Sequence, residues 1–156
     1  MMSVGFSKES VLLLCSFLPL PVGFLALHTW LVTVRADGEI HRWEVWAQSD
    51  CCETSWGHLH CDLFLPYQGI GILPSFLSQS GCWSSQLVAV ENSSIAGEMI
   101  TFLEQSVDRY PFQNRYRYLP GPNSNTFVSW VLNNFPNSCL QMPRRAIGAR
   151  YVVPPL

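Results

Sequence analysis

Ser124 has the residue type and the surroundings of a hydroxyl nucleophile. It follows a bend formed by residues 120–122, Pro-Gly-Pro. Its neighbours Asn123, Asn125 and Thr126 have the short polar side chains that are typical of the first turn of a helix. That turn presents unpaired backbone N–H groups, which stabilise an anion that develops beside them. A serine at this position can attack a carbonyl group if a neighbouring base takes its proton.

His28 is the base that the sequence offers for this serine. It lies in Leu25 to Val34, a stretch rich in β-branched and aromatic residues that predicts a central strand. The dipeptide Asp37-Gly38 predicts a hairpin turn, after which Ile40 to Ala47 returns as a second strand. The second strand carries the groups that could orient the imidazole.

The register of this hairpin decides which group orients His28, because strand side chains alternate between two faces. With a two-residue loop, Glu44 points to the other face, and His41 is the substitute partner. With a three-residue loop that includes Ala36, Glu44 becomes the diagonal neighbour of His28 on the same face. Turn statistics favour the shorter loop, and the sequence leaves both registers open.

Acyl transfer is the chemistry that these residues predict. Ser124 would attack the carbonyl of an amide or ester, and His28 would accept its proton. The predicted catalytic residues are Ser124, His28, Glu44, Asn123 and Asn125, with an asparagine assisting as oxyanion donor. The structural alternative makes Ser124 a helix cap and His28 a core histidine.

A second group of residues precedes the bend. Arg115 and Arg117 are two positions apart, so an extended segment would place both on one face, with Tyr118 on the other. Arginines in this arrangement suit a carboxylate or phosphate, whereas the simpler interpretation is a solvated edge strand. The predicted substrate-binding residues are Arg115, Arg117, Tyr118 and Trp30.

Apolar spacing elsewhere predicts the elements that position this site. Residues 86–91 predict a third strand, and the apolar positions between Ile95 and Val107 predict a helix that packs on the sheet. A second helix begins near Ser124 and ends before Pro136. The expected fold is α+β, a small antiparallel sheet packed against two main helices. It would form a single domain, residues 21–156, with an irregular insertion at 49–80.

The first 20 residues form an apolar segment with three open interpretations. Residues 11–18 could be the apolar part of a signal peptide, a membrane anchor or a packed helix. An anchored protein would contact the membrane through residues 10–27. The compartment therefore stays open among membrane-associated, cytoplasmic and exported forms.

Composition narrows the classes of partner. Only 13% of the residues are charged and the net charge is −2, so the chain lacks the basic field that nucleic acids require. Soft ligands crowd residues 51–61, but their spacing matches no standard zinc site, and neither a metal nor another cofactor is predicted. A small molecule, a peptide or a lipid remains as the partner. The ligand types at 51–61 are Cys51, Cys52, His58, His60 and Cys61.

Several segments resemble an uncharacterised, mainly bacterial family of unknown function. The segment from Pro120 to Val128 reads PGPNSNTFV, Gly23 to Leu31 reads GFLALHTWL, and Arg42 to Val45 reads RWEV. Tyr110-Pro111 and Ala146-Ile147-Gly148 also match. This likeness covers most of residues 23–151 except a gap near 49–80.

A more distant likeness is to circularly permuted papain-like proteins of the lecithin retinol acyltransferase and PPPDE peptidase kind. These place a histidine on an early strand, as at His28, and an Asn-Cys-Asn motif at a helix start, as at Asn123 to Asn125, where serine replaces the cysteine. The resemblance implies a permuted papain-like fold and a serine-dependent hydrolase or acyltransferase acting on amide or ester bonds. The alternatives are a catalytically inactive papain-like binding module and a membrane-associated structural protein.

Overall fold

The protein is described by a computed structural model that covers residues 8–19, 25–71, 81 and 83–154. Cys82 lies outside the described residues, as do residues 20–24 of the predicted membrane-contacting segment 10–27, which include Gly23 and Phe24 of the family resemblance. The described part contains six strands and two helices. They are β1 (Ser10–Phe17), β2 (Leu27–Val34), β3 (Ile40–Val45), β4 (Ser55–Trp56), β5 (Leu59–Cys61), β6 (Gln86–Glu91), α1 (Ile95–Arg109) and α2 (Ser124–Asn133).

The strands form one antiparallel sheet in the order β4-β5-β3-β2-β1-β6. Both helices pack on the same face of it, α1 against β1 and α2 against β2 and β3. The α+β prediction of a small antiparallel sheet packed against two main helices is confirmed. The predicted β2, β3, β6, α1 and α2 are all present, because each has a clear apolar period or strong turn and cap signals at its ends.

Residues 11–18 form a strand instead of a helix. Ser10–Phe17 is β1, which pairs with β2 on one side and with β6 on the other. The prediction of a packed helix is wrong, because a central strand with both faces covered reads as a continuous apolar run. The predicted domain boundary at residue 20 would therefore cut β1 off from the sheet to which it belongs. In the described residues, no helix has the length and apolar character needed to cross a bilayer.

The β2–β3 hairpin has the three-residue loop. Arg35 N–H donates to Glu39 O at 2.8 Å, and Leu31 pairs with Trp43, so Ala36 belongs to the loop. The shorter loop, which turn statistics favoured, is wrong. Three-residue hairpin loops place a residue with positive φ before the second strand, and Gly38 has φ of +91°.

The two faces of the sheet are covered by different parts of the chain. On the helix side, alternate residues such as Leu13, Leu31 and Trp43 form the main core with α1 and α2. The other face carries Leu12, Trp30 and their alternate neighbours. The chain after β5 crosses this second face: Trp30 Nε1–H donates to Pro66 O at 2.9 Å, and Ile70 N–H donates to Ser16 Oγ at 3.3 Å.

The insertion predicted at 49–80 is partly regular. Within it, β4 and β5 form a hairpin, and β5 pairs with β3 through Glu44 opposite His60. The prediction of an irregular segment is therefore wrong for residues 55–61. Strands of two and three residues carry too few side chains to show a period in the sequence.

Candidate functional site

Asn123 caps helix α2, and Ser124 is the first residue of the helix. Asn123 Oδ1 accepts hydrogen bonds from Asn125 N–H at 3.0 Å and from Thr126 N–H at 3.3 Å. In return, Thr126 Oγ1 accepts from Asn123 N–H at 3.1 Å, which completes a capping box. The alternative that made Ser124 the helix cap is wrong, because its neighbour already fills that role.

The side-chain amides of both asparagines hold the α2 start against the rest of the fold. Asn125 Nδ2–H donates to Leu27 O at 2.8 Å and to Ile147 O at 2.9 Å, while Asn125 Oδ1 accepts from Thr29 Oγ1–H at 2.8 Å. Asn123 Nδ2–H donates to backbone carbonyls, among them Ile147 O at 3.1 Å. These amide donors are engaged with backbone oxygens, so they do not form the oxyanion site that the sequence suggested.

Residues 146–148 pack directly on the α2 start. Thr126 Oγ1–H donates to Gly148 O at 2.8 Å. Gly148 has φ of +97°, and a Cβ atom there would collide with the side chain of Asn123. A glycine is therefore required at this position by both the backbone angle and the close approach. Two segments quoted for the family resemblance, 120–128 and 146–148, thus form one contact.

A cavity of about 380 Å³ lies at the start of α2. Its wall is mostly apolar and is drawn from the starts of β2 and α2, from the segment before the bend and from Ile147. Tyr118 and Leu119, 68% and 65% exposed, form its open side. The lining residues are Leu18, Pro19, Ala26, Leu27, Tyr116, Tyr118, Leu119, Asn123, Ser124, Asn125 and Ile147.

Ser124 is a polar residue of this cavity whose hydroxyl has no bond to the described part of the chain. Its side chain lines the cavity and the residue is only 5% exposed. Neither Ser124 Oγ nor Ser124 N–H makes a hydrogen bond within the part of the chain that the structure describes. A hydroxyl and an N–H at the positive end of a helix are thus left for a polar atom of a ligand.

His28 belongs to a separate, buried charge cluster. His28 Nε2 lies 2.7 Å from Glu44 Oε2, and the two Glu44 oxygens lie 2.8 and 2.9 Å from Arg42 Nε and Nη2. The Arg42 guanidinium stacks 4.1 Å from the centre of the Trp30 ring and donates to Leu65 O and Gln68 O. All members of the cluster are buried. The prediction that Glu44 is the partner of His28 agrees with this contact.

The electrostatics of this cluster favour an ionised Glu44. Burial acts to raise the pKa of Glu44, but the hydrogen bond with His28 and the charge of Arg42 outweigh burial and hold that pKa below its ordinary value. Burial lowers the pKa of Arg42, against the opposing pull of Glu44. The cluster is an ion pair completed by a histidine, and it links β2 to β3.

The structure does not bring Ser124 and His28 together. The Thr29 side chain bonds to Asn125 on the helix side of the sheet. Its neighbour His28 therefore points to the opposite face, where it contacts Glu44 and stacks on Trp30. The predicted catalytic residues fall into two sets, Ser124 with its asparagines at the cavity, and His28 with Glu44 beneath residues 62–71.

The predicted substrate-binding residues are likewise divided. Tyr118 lines the cavity, whereas Trp30 is fully buried on the far face of the sheet. Arg115 and Arg117 are exposed, and they lie in an irregular segment that is not an edge strand. The sequence missed Thr29, which holds Asn125, and Ile147, which lines the cavity. A strand threonine and a loop isoleucine carry no local sign of such distant contacts.

The soft ligands at 51–61 do not converge. His58 Nδ1 bonds to Trp46 O, and His60 bonds to Ser55 Oγ and Gln48 O. Within the described residues the cysteines are free thiols. The ligand atoms of a different trio lie within 4.8 Å of one another, those of His41, Cys61 and Asp62.

That trio has bonds within the protein that account for it without an ion. Asp62 Oδ2 accepts a hydrogen bond from His41 Nδ1 at 2.6 Å, and Asp62 Oδ1 accepts from Arg42 N–H at 2.7 Å. Burial acts to lower the pKa of His41, but the hydrogen bonds and charges of Asp62 and Glu39 together outweigh burial and raise that pKa. Burial raises the pKa of the Cys61 thiol, which disfavours the thiolate form.

Comparison with known proteins places the chain in a family. The model of a family described as "Protein of unknown function (DUF3750)" matches residues 16–151. The chain belongs to this family. No curated protein and no solved structure matches it. The match to DUF3750 runs from the end of β1 to the segment that packs on the α2 start, so it includes every residue of the cavity wall.

Proposed function

We propose that this member of the DUF3750 family is a non-catalytic binding module that holds a small, largely apolar ligand at the start of α2. The observation that carries this function is the separation of Ser124 from His28 by the sheet. A serine hydroxyl is a weak nucleophile without a base. None of the described residues that line the cavity is a histidine, a carboxylate or a lysine.

The size and lining of the cavity suit a binding role. A volume of about 380 Å³ is that of a small-ligand site, and such sites are mostly apolar with a few polar groups that orient the ligand. Here the unpartnered Ser124 is such a group. Burial raises the pKa of Tyr116, another lining residue, which keeps its hydroxyl neutral and makes it unsuited to act as a base.

In this proposal the protein has a permuted papain-like architecture but does not carry out papain-like catalysis. The likeness is supported by the position of Asn123 to Asn125 at a helix start that packs against the first strand of a hairpin. The face on which His28 lies argues against a papain-like catalytic pair. Members of the family would then share a site that binds its ligand without cleaving it.

A neutral fluorescent probe tests the binding function. N-phenyl-1-naphthylamine should bind the full-length protein saturably, with one probe per chain. Ile147→Trp should abolish this binding, because the indole fills the cavity from its wall. Ile40→Trp is the matched control, since Ile40 has nearly the same exposure, 38% against 39%, and lies outside the cavity. Equal probe binding by both variants would disprove the site.

A serine hydrolase or acyltransferase is the second candidate, and the free hydroxyl and N–H of Ser124 at a helix start favour it. A fluorophosphonate probe followed by peptide mapping separates the two functions. The binding module predicts no labelling of Ser124 above the background of Ser124→Ala. Stoichiometric labelling at Ser124 would show an activated nucleophile and would favour the hydrolase.

A further inference from the structure

Charge is distributed unevenly along the chain. The 11 acidic residues all lie at or before Asp108, whereas residues 110–156 contain arginines and no acidic residue. This cationic segment supplies much of the cavity wall, through residues 116–119, 123–125 and 147. The part of the chain that supplies this wall therefore carries net positive charge. The arginines are Arg115, Arg117, Arg144, Arg145 and Arg150.

Three of these arginines lie next to residues of the cavity wall, either in sequence or through a contact. Arg117 lies between two tyrosines that line the cavity. Arg145 O accepts a hydrogen bond of 3.1 Å from Leu27 N–H in the wall. Arg150 lines an adjoining depression that shares Ile147 with the cavity. All three side chains are exposed, and none of them lines the cavity itself.

Ser124 offers hydrogen-bond donors to an anionic group in the cavity. Ser124 is 5% exposed, lines the cavity, and leaves both its hydroxyl and its N–H without a partner in the described part of the chain. Both groups lie at the N-terminal end of a ten-residue helix, where the helix dipole favours negative charge. A hydroxyl without a protein partner, on a largely buried residue that lines a mostly apolar cavity, suits a ligand that brings a polar atom to it.

We infer that the ligand is a single-chain amphiphile with an anionic head, of which a medium-chain carboxylate is the simplest form. This assignment rests on the proposed binding function and adds the chemistry of its ligand. The carboxylate accepts hydrogen bonds from Ser124 Oγ–H and N–H, and the aliphatic chain lies along apolar lining residues such as Leu27 and Leu119. The volume of about 380 Å³ is near the lower end of small-ligand sites, which suits one chain and not two.

Competition among three ten-carbon compounds tests the head group. Decanoate, decanol and decyltrimethylammonium should displace N-phenyl-1-naphthylamine from the full-length protein in that order at low salt. Decanoate should act at about tenfold lower concentration than decanol, because its head makes charge-assisted hydrogen bonds. Its advantage should shrink as salt screens the arginines. Equal potency of decanoate and decanol would overturn the anionic head while leaving the binding function intact. Failure of the probe to bind at all would overturn the binding function itself.

Variants locate the head within the cavity. Ser124→Ala should weaken decanoate by about fivefold or more and leave decanol unchanged. Arg117→Gln combined with Arg150→Gln should flatten the salt dependence, whereas Arg109→Gln, at the end of α1, should not. A decanoate affinity that is unchanged in Ser124→Ala and in the double variant would disprove the assignment. Vesicles of phosphatidylglycerol that displace the probe as effectively as decanoate would disprove a single-chain ligand.

Discussion

The Thr29 hydroxyl donates a hydrogen bond of 2.8 Å to Asn125 Oδ1, across 96 positions of the chain. This bond joins the middle of the sheet to the start of α2 and fixes which side of β2 faces the helix. His28, the next residue, consequently points to the opposite face and bonds to Glu44. The serine and the histidine therefore lie on opposite sides of the sheet.

Asn125→Asp should strongly destabilise the protein. The substitution removes the two N–H donors that serve Leu27 O and Ile147 O and places a carboxylate oxygen against those carbonyls. We expect the free energy of unfolding to fall by about 3 kcal/mol, since buried polar groups lose their partners. Urea unfolding measures this change. Asn133→Asp, at an exposed position near the end of α2, is the control, and an equal loss in both variants would contradict the role of Asn125.

Glu44→Gln should leave a buried arginine without its counter-charge. Two nitrogens of the buried Arg42 guanidinium contact the Glu44 carboxylate. The expected loss in the free energy of unfolding is therefore about 3 to 5 kcal/mol. Glu104→Gln removes the charge of one of the two acidic partners of Arg35 on the surface and should lower stability by about 1 kcal/mol or less. Thermal and urea unfolding of the two variants give the comparison. A loss below that of Glu104→Gln would refute the importance of the buried ion pair.

Gly148→Ala and Gly38→Ala separate backbone strain from collision. Both glycines have positive φ, +97° and +91°, but a Cβ at Gly38 meets nothing within 4 Å, whereas one at Gly148 collides with Asn123. Gly38→Ala should therefore cost about 1 to 2 kcal/mol of stability from strain alone. Gly148→Ala should cost more and should also weaken probe binding at the cavity. Similar losses in the two variants would show that the contact with Asn123 is unimportant.

Glu91 should make stability depend on pH in the acid range. Its carboxylate accepts from Ser93 N–H and Cys139 N–H, each at 2.9 Å. Burial acts to raise the pKa of Glu91, but these hydrogen bonds outweigh it and lower that pKa from 4.5 to about 2. Because the folded pKa is depressed, the stabilisation is complete above the ordinary value and is lost as pH falls from 4.5 to about 2.

Glu91→Gln tests this dependence. It should lower stability at neutral pH by about 2 kcal/mol and should flatten the loss of stability over the same acid range. Unfolding in urea at a series of pH values measures both effects. Glu98→Gln, an exposed position in the first turn of α1, should keep the pH profile of the unmodified protein. A Glu91→Gln profile that is as steep as that of the unmodified protein would exclude Glu91 as the source.

Local pattern was enough to predict most elements but failed where tertiary context decides. The helix α1 and the strand β6 follow from apolar spacing and flanking turns. β1 was missed, because a strand covered on both faces has no alternation to detect, and its leucine-rich sequence has fewer of the β-branched residues that indicated β2. The hairpin register was also open, since one residue more in the loop moves every side chain to the other face.

The site shows the same limit. The sequence placed Ser124 correctly at a helix start and paired Glu44 with His28 through one of its two registers. The sequence could not show that Ser124 and His28 lie on opposite sides of the sheet, because that depends on which alternate residues of β2 face α2. Nor could the sequence predict that Ile147 lines the cavity, since the position of a loop residue depends on contacts with distant parts of the chain.

The pairing of β1 with β6 sets how this protein is assembled during synthesis. Val11 stands opposite Glu91, so the edge of β1 that faces β6 has no neighbour until residues 86–91 have left the ribosome. Such distant pairings slow folding and expose apolar strand edges in the nascent chain. We expect refolding to respond to substitutions at the β1–β6 seam, and a growing chain that stops short of residue 86 to need a chaperone.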